Sequence, residues 1–238
     1  MRKLHFFLLG LLALTFVSCK DTSGDYATDL LTISQMEEAF DYCLTLSTAY
    51  AVDILCPENE MDYAMNYGFY EYENQRYRIT LPASAQAIAD TLTAHGQAAL
   101  IDSLVLHINR AAEASGNDIT NAFLSALNSL EYVNHQGLLN TTSTDALSRY
   151  FKTQCGSQIH QSLQTPIQMK LNEKGVQSEW NNILNQYYVY NPQAVSIDLY
   201  GHIVDKIIDG VFTEMGKMEG LIRQDESYQV SDILILVF

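Results

Sequence analysis

The sequence predicts an all-α fold: a single helical domain over residues 34–238, with about seven or eight helices and a small β-hairpin-like insert near residues 67–82. Three observations favour this fold. Apolar residues recur at three- and four-residue spacing through most of the chain. Glycine and proline interrupt that spacing at intervals, and no repeat of fixed period indicates a solenoid. We therefore expect one multi-helix core.

The chain begins with a predicted signal peptide over residues 1–18. Two basic residues precede an apolar run from Leu4 to Val17, which is shorter than the roughly 20 residues that a membrane-spanning helix needs. Small Ser18 directly before Cys19 resembles the lipobox of bacterial lipoproteins, in which that cysteine is lipidated. The alternative is an ordinary secretory signal followed by an unrelated cysteine.

Residues 19–33 are polar and acidic, and we interpret them as the lipidated Cys19 followed by a tether. Lys20 and Asp21 resemble the short charged export signals of surface lipoproteins in some Bacteroidetes-type bacteria. The predicted location is therefore the cell envelope, at the outer membrane, with membrane attachment through the lipid at Cys19. The periplasmic face and the cell surface both remain open.

Charge restricts the predicted partners. The chain has 28 Asp and Glu against 13 Lys and Arg, a formal net charge of −15. Such a chain repels nucleic-acid phosphates and anionic lipid headgroups, which argues against nucleic-acid binding and electrostatic membrane binding. An envelope protein or a small-molecule ligand is the expected partner.

Three cysteines follow the tether: Cys43, Cys56 and Cys155. In an oxidising envelope one pair could form a disulfide, but their surroundings favour three reduced, mostly buried thiols. No Cys-x-x-Cys or Cys/His spacing predicts a zinc site.

The predicted elements follow in order. Ser34 with Glu37 suits a capping box for a helix that runs to Cys56-Pro57. In residues 67–82 aromatic residues and Ile alternate with charged residues, which predicts the β-hairpin-like insert. The last residues, "SDILILVF", predict a short helix or strand packed into the core. Between the insert and this end the predicted helices lie at about 83–95, 97–115, 117–132, 143–155, 157–173, 176–190 and 196–224.

Several ordered stretches carry a family resemblance. They are "ITLP" at 79–82, "LHINRAAEAS" at 106–115, "TDALSRYF" at 144–151, "DLYGHIVDKIIDGVF" at 198–212, "IR" at 222–223 and "DILILVF" at 232–238. From about Met36 to the end, the chain resembles the bacterial family catalogued as domain of unknown function 4197. The resemblance implies a mostly helical, exported, often lipid-anchored envelope protein, with no catalytic residues to carry over.

One candidate site is a polar stripe on the last long helix. Asp198, His202, Asp205 and Asp209 fall within about 60° of one another at 100° per residue. Carboxylates with an imidazole suit a divalent cation. The simpler interpretation is a solvated helix face, with Asp198 complementing the helix dipole. The family pattern usually has an aromatic residue at position 202, which argues against His202 as a ligand.

The second candidate is a carboxylate–amide patch. Asp102, Asn109 and Glu113 lie on one flank of a helix, and Arg110 lies further round. The carboxylate and amide groups of this patch could bind a ligand or an ion. Alternatively, Asn109 bonds buried backbone groups while Arg110 pairs with an acid; small Ala111 and Ala112 indicate close helix packing and favour this second interpretation.

Known catalytic motifs, including G-x-S-x-G, H-E-x-x-H and the P-loop, are missing from the sequence. We therefore expect no cofactor or metal, and a non-enzymatic, lipid-anchored binding or interaction domain of unknown biochemical role. A metal-dependent hydrolase using one of the two candidate sites is an alternative. A structural envelope protein is another.

Overall fold

A computed structural model of the chain describes residues 31–57, 67–70 and 75–238. The first helix begins after Thr32. The Thr32 hydroxyl accepts a hydrogen bond from the Gln35 N–H at 3.2 Å, and Gln35 Oε1 accepts one from the Thr32 N–H at 2.9 Å. The capping box expected at Ser34 and Glu37 therefore lies two residues earlier, because a glutamine at the third helical position can bond back as a glutamate does.

Nine α-helices are present in the described residues. They are α1 (Ile33–Leu55), α2 (Gln86–Ala94), α3 (Ala98–Glu113), α4 (Gly116–Leu127), α5 (His135–Leu139), α6 (Ala146–Glu173), α7 (Val176–Tyr190), α8 (Leu199–Gln224) and α9 (Asp232–Val237). Short 3₁₀ turns at Ala83–Ala85 and Glu226–Tyr228 complete them. The predicted all-α class is confirmed.

Four helices pack in a ring around the centre of the core. In this ring α1 contacts α8 and α4, and α6 contacts the same two helices. Phe123, Phe151 and Phe212, one each from α4, α6 and α8, meet with ring centroids 5.0 to 6.1 Å apart. Helices α2, α3 and α7 pack together, and α3 and α7 also contact α6. Residues Leu31 to Phe238 form one compact unit.

Helix α6 is longer than the sequence indicates, because it runs unbroken through Gly156 and Pro166. The predicted division into helices over 143–155 and 157–173 is wrong, and proline at position 166 does not end the helix either. Buried residues recur every four positions across both, at Cys155, Ile159, Leu163, Ile167 and Leu171. Burial of this continuous apolar stripe outweighs the local cost of a glycine and a proline in a helix.

The predicted β-hairpin-like insert is not seen in its described parts, residues 67–70 and 75–82; residues 71–74 lie outside the described residues. The backbone N–H of Tyr70 donates to Glu113 at 2.8 Å, and that of Ile79 donates to Asn109 at 2.8 Å. These backbone donors bond side chains of α3 and need no partner strand. The alternation instead reflects burial of Phe69 and Ile79.

The C-terminal segment forms the short helix α9, which packs on α1. Leu234 and Val237 are buried, whereas Ile235 and Leu236 are exposed. Among the described residues, none of the helices combines the length and the apolar character that crossing a bilayer requires.

Candidate functional site

The predicted stripe on α8 lies beside α6, and its first member has a structural role. Asp198 is the N-cap of α8, and its Oδ1 accepts a hydrogen bond from the Gly201 N–H at 2.8 Å. An ideal Cβ on Gly201 would meet Asp198 Oδ2 at 2.3 Å, so a larger residue there would require the Asp198 carboxylate to shift. This bond satisfies one of the free backbone donors at the helix start.

The other three members of the stripe each have a partner outside α8. His202 Nε2 lies 2.9 Å from the Thr80 carbonyl oxygen, which accepts a hydrogen bond from the ring. Asp205 Oδ1 lies 3.3 Å from His160 Nε2, and Asp209 Oδ1 accepts from Lys152 Nζ at 2.7 Å. His160 and Lys152 both belong to α6, so the stripe faces a second helix.

These groups line a cleft of about 550 Å³ between α6 and α8, here called the His/Asp cleft. Its size is that of a small-molecule pocket. The lining residues are Lys152, Gly156, Ser157 and His160 from α6, with His202, Asp205, Lys206, Ile208 and Asp209 from α8. The stripe is therefore not simply a solvent-exposed helix face, because three of its four members line a cleft together with residues of α6.

The lining of the His/Asp cleft mixes both charges. It contains two carboxylates, two lysines and two imidazoles, and the carboxylates of Asp205 and Asp209 lie against His160 and Lys152 of the opposing helix. Within the described ranges, no group of three or more His, Cys, Asp or Glu side chains is arranged to hold a metal ion. The cleft can bind polar groups of either sign by hydrogen bonds and ion pairs.

A second cleft of about 380 Å³ adjoins it, with Lys152 in the lining of both. We call it the cationic cleft. The other lining residues are Thr144, Asp145, Ser148, Arg149, Phe212, Thr213, Gly216 and Lys217. Sequence reasoning missed it because its cations lie on two helices more than fifty residues apart.

The structure brings together only part of the second predicted patch, the one on α3. Two of its members, Asn109 and Glu113, form hydrogen bonds with backbone groups of the insert. Asn109 uses its whole amide: Oδ1 accepts from the Ile79 N–H, while Nδ2 donates to the Ile79 and Val105 carbonyls at 2.9 and 2.7 Å. This matches the interpretation in which Asn109 bonds buried backbone groups. Asp102 is exposed on α3 and takes no part in these bonds.

Glu113 is the buried carboxylate of that patch. It accepts from the Tyr70 N–H at 2.8 Å and from Arg110 at 2.7 Å. Burial raises the pKa of Glu113 above its ordinary value, and the two donors partly offset that rise. Gly68 has a φ of +96°, a backbone conformation that favours glycine, and an ideal Cβ there would lie 2.6 Å from Glu113 Oε1. Both the backbone and the nearby carboxylate therefore favour glycine at this position.

A polar network behind the cationic cleft was not foreseen. The buried Glu214 accepts hydrogen bonds from the Tyr77 hydroxyl and from Lys217, and Lys217 Nζ lies 2.7 Å from the Tyr77 oxygen. Burial raises the pKa of Tyr77, and the carboxylate adds to the rise. Burial alone would lower the pKa of Lys217, but Glu214 and Tyr77 raise it above its ordinary value, which keeps the ammonium charged.

A second unforeseen contact fixes the start of α6. The fully buried Glu219 accepts from the backbone N–H groups of Leu147 and Ser148 at 2.9 and 2.8 Å, and from the Ser148 hydroxyl at 2.8 Å. Arg223 donates to the same carboxylate at 2.9 Å. The anion thus takes the place of a side-chain N-cap, at the positive end of the helix. Only the i, i+4 spacing of Glu219 and Arg223 is visible in the sequence.

Cys19 and the predicted signal peptide lie outside the described residues. Cys43, Cys56 and Cys155 are buried free thiols. Burial raises the pKa of each of them.

Comparison with known proteins places the chain in a family. No curated protein and no solved structure matches the chain. A family model described as "Protein of unknown function (DUF4197)" matches residues 31–238, which includes the insert, both clefts and the buried networks of α8. The chain therefore belongs to the DUF4197 family, as the ordered sequence motifs indicate.

Proposed function

We propose that the protein is a lipoprotein of the bacterial cell envelope, anchored through Cys19, whose helical domain binds a polar ligand in the His/Asp cleft. The ligand is a small molecule or a segment of an envelope protein. The observation that carries the binding role is the meeting of the α8 stripe with Lys152 and His160 across one cleft.

The anchor is supported by the sequence alone. A basic start, an apolar run too short for a membrane span and Ser18-Cys19 together favour a lipoprotein precursor over a chance cysteine. Several acyl chains on one cysteine give stable anchoring, where one chain gives only marginal binding. We place the anchor in the outer membrane.

The binding role is supported by the chemistry of the cleft. Its volume of about 550 Å³ lies in the range of ligand pockets, and Lys206 and Ser157 add donors to the charged pairs. The alternative, a metal-dependent hydrolase, needs several carboxylate or imidazole ligands converging on one point. Here Asp209 pairs with a lysine, which would repel a cation at that position. The arrangement therefore favours binding over metal catalysis.

The anchor is tested by labelling growing cells with an alkyne fatty acid and fractionating the membranes. We expect the parent chain to carry the label and sediment with membranes, and Cys19→Ala to lose the label. Ser18→Ala keeps a small residue before the cysteine and serves as the matched control, which should label as the parent does. Label that persists in Cys19→Ala, or its absence from the parent, would contradict the proposal.

The binding role is tested by thermal shift on residues 19–238 carrying Cys19→Ser. The panel contains sugars, amino acids, dipeptides, organic phosphates, carboxylates and divalent metal salts. Gly156→Tyr places a ring in the His/Asp cleft, where a Cβ meets only Lys152 Cγ at 3.9 Å. Gln154→Tyr, at an exposed position of α6 outside the cleft, is the control.

We expect at least one compound to raise the melting temperature of the parent and of Gln154→Tyr, but not that of Gly156→Tyr. If every shift survives in Gly156→Tyr, the ligand does not occupy this cleft. If no compound shifts the parent, a structural role replaces the binding role. A shift with metal salts alone that Gly156→Tyr abolishes would favour the hydrolase.

A further inference from the structure

The lining of the cationic cleft contains more cations than carboxylates, unlike the chain as a whole. The protein carries 28 acids and 13 Lys and Arg, yet this cleft is lined by the cations of Arg149, Lys152 and Lys217 and by a single carboxylate, Asp145. Each of these cations is paired with a carboxylate, Asp145, Asp209 or Glu214, but only Asp145 belongs to the lining, so the surface that faces the cleft presents mainly N–H donors of cations.

The two lysines of the cleft differ in how firmly they are held. Lys217 bonds Tyr77 and Glu214, and Lys152 bonds Asp209 at the junction of the two clefts. An ammonium carries three N–H donors, so these bonds with described residues leave at least one donor on each lysine for the cleft. Lys217 is already restrained by the buried Glu214, so little side-chain entropy would be lost when it binds a ligand. The Lys152–Asp209 pair is about half exposed and weak, so an anion can compete for that ammonium.

The third cation is more adjustable. The Arg149 side chain is 64% exposed, and its Nε lies 3.2 Å from Asp145 Oδ1. An exposed pair of this kind is weak, so an anion with more than one charge can compete for the guanidinium. Arginine presents a planar pair of donors that matches phosphate or carboxylate oxygens.

Phe212 is a largely buried, rigid part of the lining. It is 6% exposed and packs against Phe123 and Phe151 with ring centroids 5.0 and 5.6 Å away. Lys152 Nζ lies 5.8 Å from the Phe212 ring centroid. The volume of about 380 Å³ suits a small organic molecule. A long polyanion such as nucleic acid would be repelled by the surrounding acidic surface.

We propose that the cationic cleft binds a small organic anion with phosphate or carboxylate groups, through Lys152, Lys217 and Arg149. This goes beyond the proposed binding role, since it assigns a chemical class of ligand to the adjoining cleft.

Isothermal titration calorimetry tests the proposal, on residues 19–238 with Cys19→Ser at constant ionic strength. The probes are glycerol 3-phosphate and citrate, with glycerol as the uncharged control. Arg149→Gln combined with Lys152→Gln removes two exposed cations of the cleft. Lys170→Gln removes a cation of the same helix that pairs with Glu173 outside the cleft, and it is the control for loss of a lysine charge on this helix.

We expect one or both anions to bind the parent and the Lys170→Gln variant with similar Kd, and glycerol not to bind. In the double variant, Kd should rise at least about tenfold, since the anion loses charge-assisted hydrogen bonds from two cations. If only citrate binds, the cleft prefers carboxylate groups. If only glycerol 3-phosphate binds, it prefers a phosphate group.

Absence of binding by both anions would overturn the proposal, as would unchanged affinity in the double variant or an equal loss in Lys170→Gln. Because Lys152 lines both clefts, Arg149→Gln is also titrated alone, since Arg149 lies in the lining of the cationic cleft only and Gly156 in that of the His/Asp cleft only. We expect Arg149→Gln alone to raise Kd and Gly156→Tyr to leave it unchanged. A loss that needs Lys152→Gln, or one that Gly156→Tyr also causes, would assign the anion to the His/Asp cleft and overturn the proposal.

Discussion

The buried glutamates of the described residues hold backbone or phenol groups. Glu113 bonds the N–H of Tyr70, Glu214 the hydroxyl of Tyr77, and Glu219 the start of α6. A buried carboxylate is costly unless it is paired and hydrogen-bonded. Each therefore joins two segments that are distant in sequence.

Replacing Glu219 with alanine should lower the free energy of unfolding by about 3–5 kcal/mol, the usual effect of removing one partner of a buried ion pair. The change leaves Arg223, whose side chain is 9% exposed, without its carboxylate, and leaves the first turn of α6 without its acceptor. Urea denaturation followed by circular dichroism measures this.

Glu173→Ala is the control for that experiment. This carboxylate is exposed and pairs with Lys170 at the C-terminal end of α6, the helix whose start Glu219 contacts. It should change the free energy of unfolding by less than about 1 kcal/mol. Similar losses in both variants would show that Glu219 contributes no more than a surface charge.

Glycines at two positions of the long helices have opposite environments. Gly156 on α6 borders the His/Asp cleft, and a Cβ there meets only Lys152 Cγ at 3.9 Å. Gly216 on α8 lies against the start of α6, where a Cβ would lie 3.0 Å from Asp145 Cβ. An atom so close to the backbone cannot move aside by a change of rotamer. Gly216 thus allows the two helices to approach, and Gly156 leaves the cleft open.

Gly156→Ala should therefore raise the melting temperature by about 2–4 °C, since alanine is roughly 1 kcal/mol better than glycine inside a helix. Gly216→Ala should lower it, because overpacking costs about 1–3 kcal/mol and exceeds the gain in helix propensity. Differential scanning calorimetry of both variants measures the two signs. Stabilisation by both would show that α8 and α6 have room between them at Gly216.

Across the whole molecule, three thiols report on the integrity of the core. Cys43 and Cys56 lie at the middle and end of α1, and Cys155 lies on α6, each less than 9% exposed. Burial raises the pKa of all three. The thiolate is the reactive form, so both access and ionisation limit the reaction.

With Cys19→Ser, the native chain should show no rapid reaction with Ellman's reagent at pH 8, and three equivalents should react in 6 M guanidinium. Reaction in the native state should follow global unfolding, since the cysteines lie in the ring of helices. Cys155→Ser should reduce the denatured count by one. Fast reaction of one thiol in the native state would reveal local opening near it, and a denatured count of one would indicate a disulfide.

The helical class, the apolar face of α8 and the family could be predicted from amino-acid order. Helix hydrogen bonds are local, so periodicity predicts α8, and its buried Ile203, Ile207 and Val211 follow from the same spacing. The Asp/His stripe on that helix is visible for the same reason. The family follows from several motifs in the right order.

Long-range packing decided the rest. The backbone N–H groups of Tyr70 and Ile79 donate to side chains of α3, so aromatic alternation did not produce strands in the described part of the insert. Gly156 and Pro166 remain inside α6 because core burial outweighs local propensity. Whether the stripe faces water or another helix depends on where α6 packs. Lys152 and Asp209 are 57 residues apart, and contacts at such distance have no local signature in a sequence.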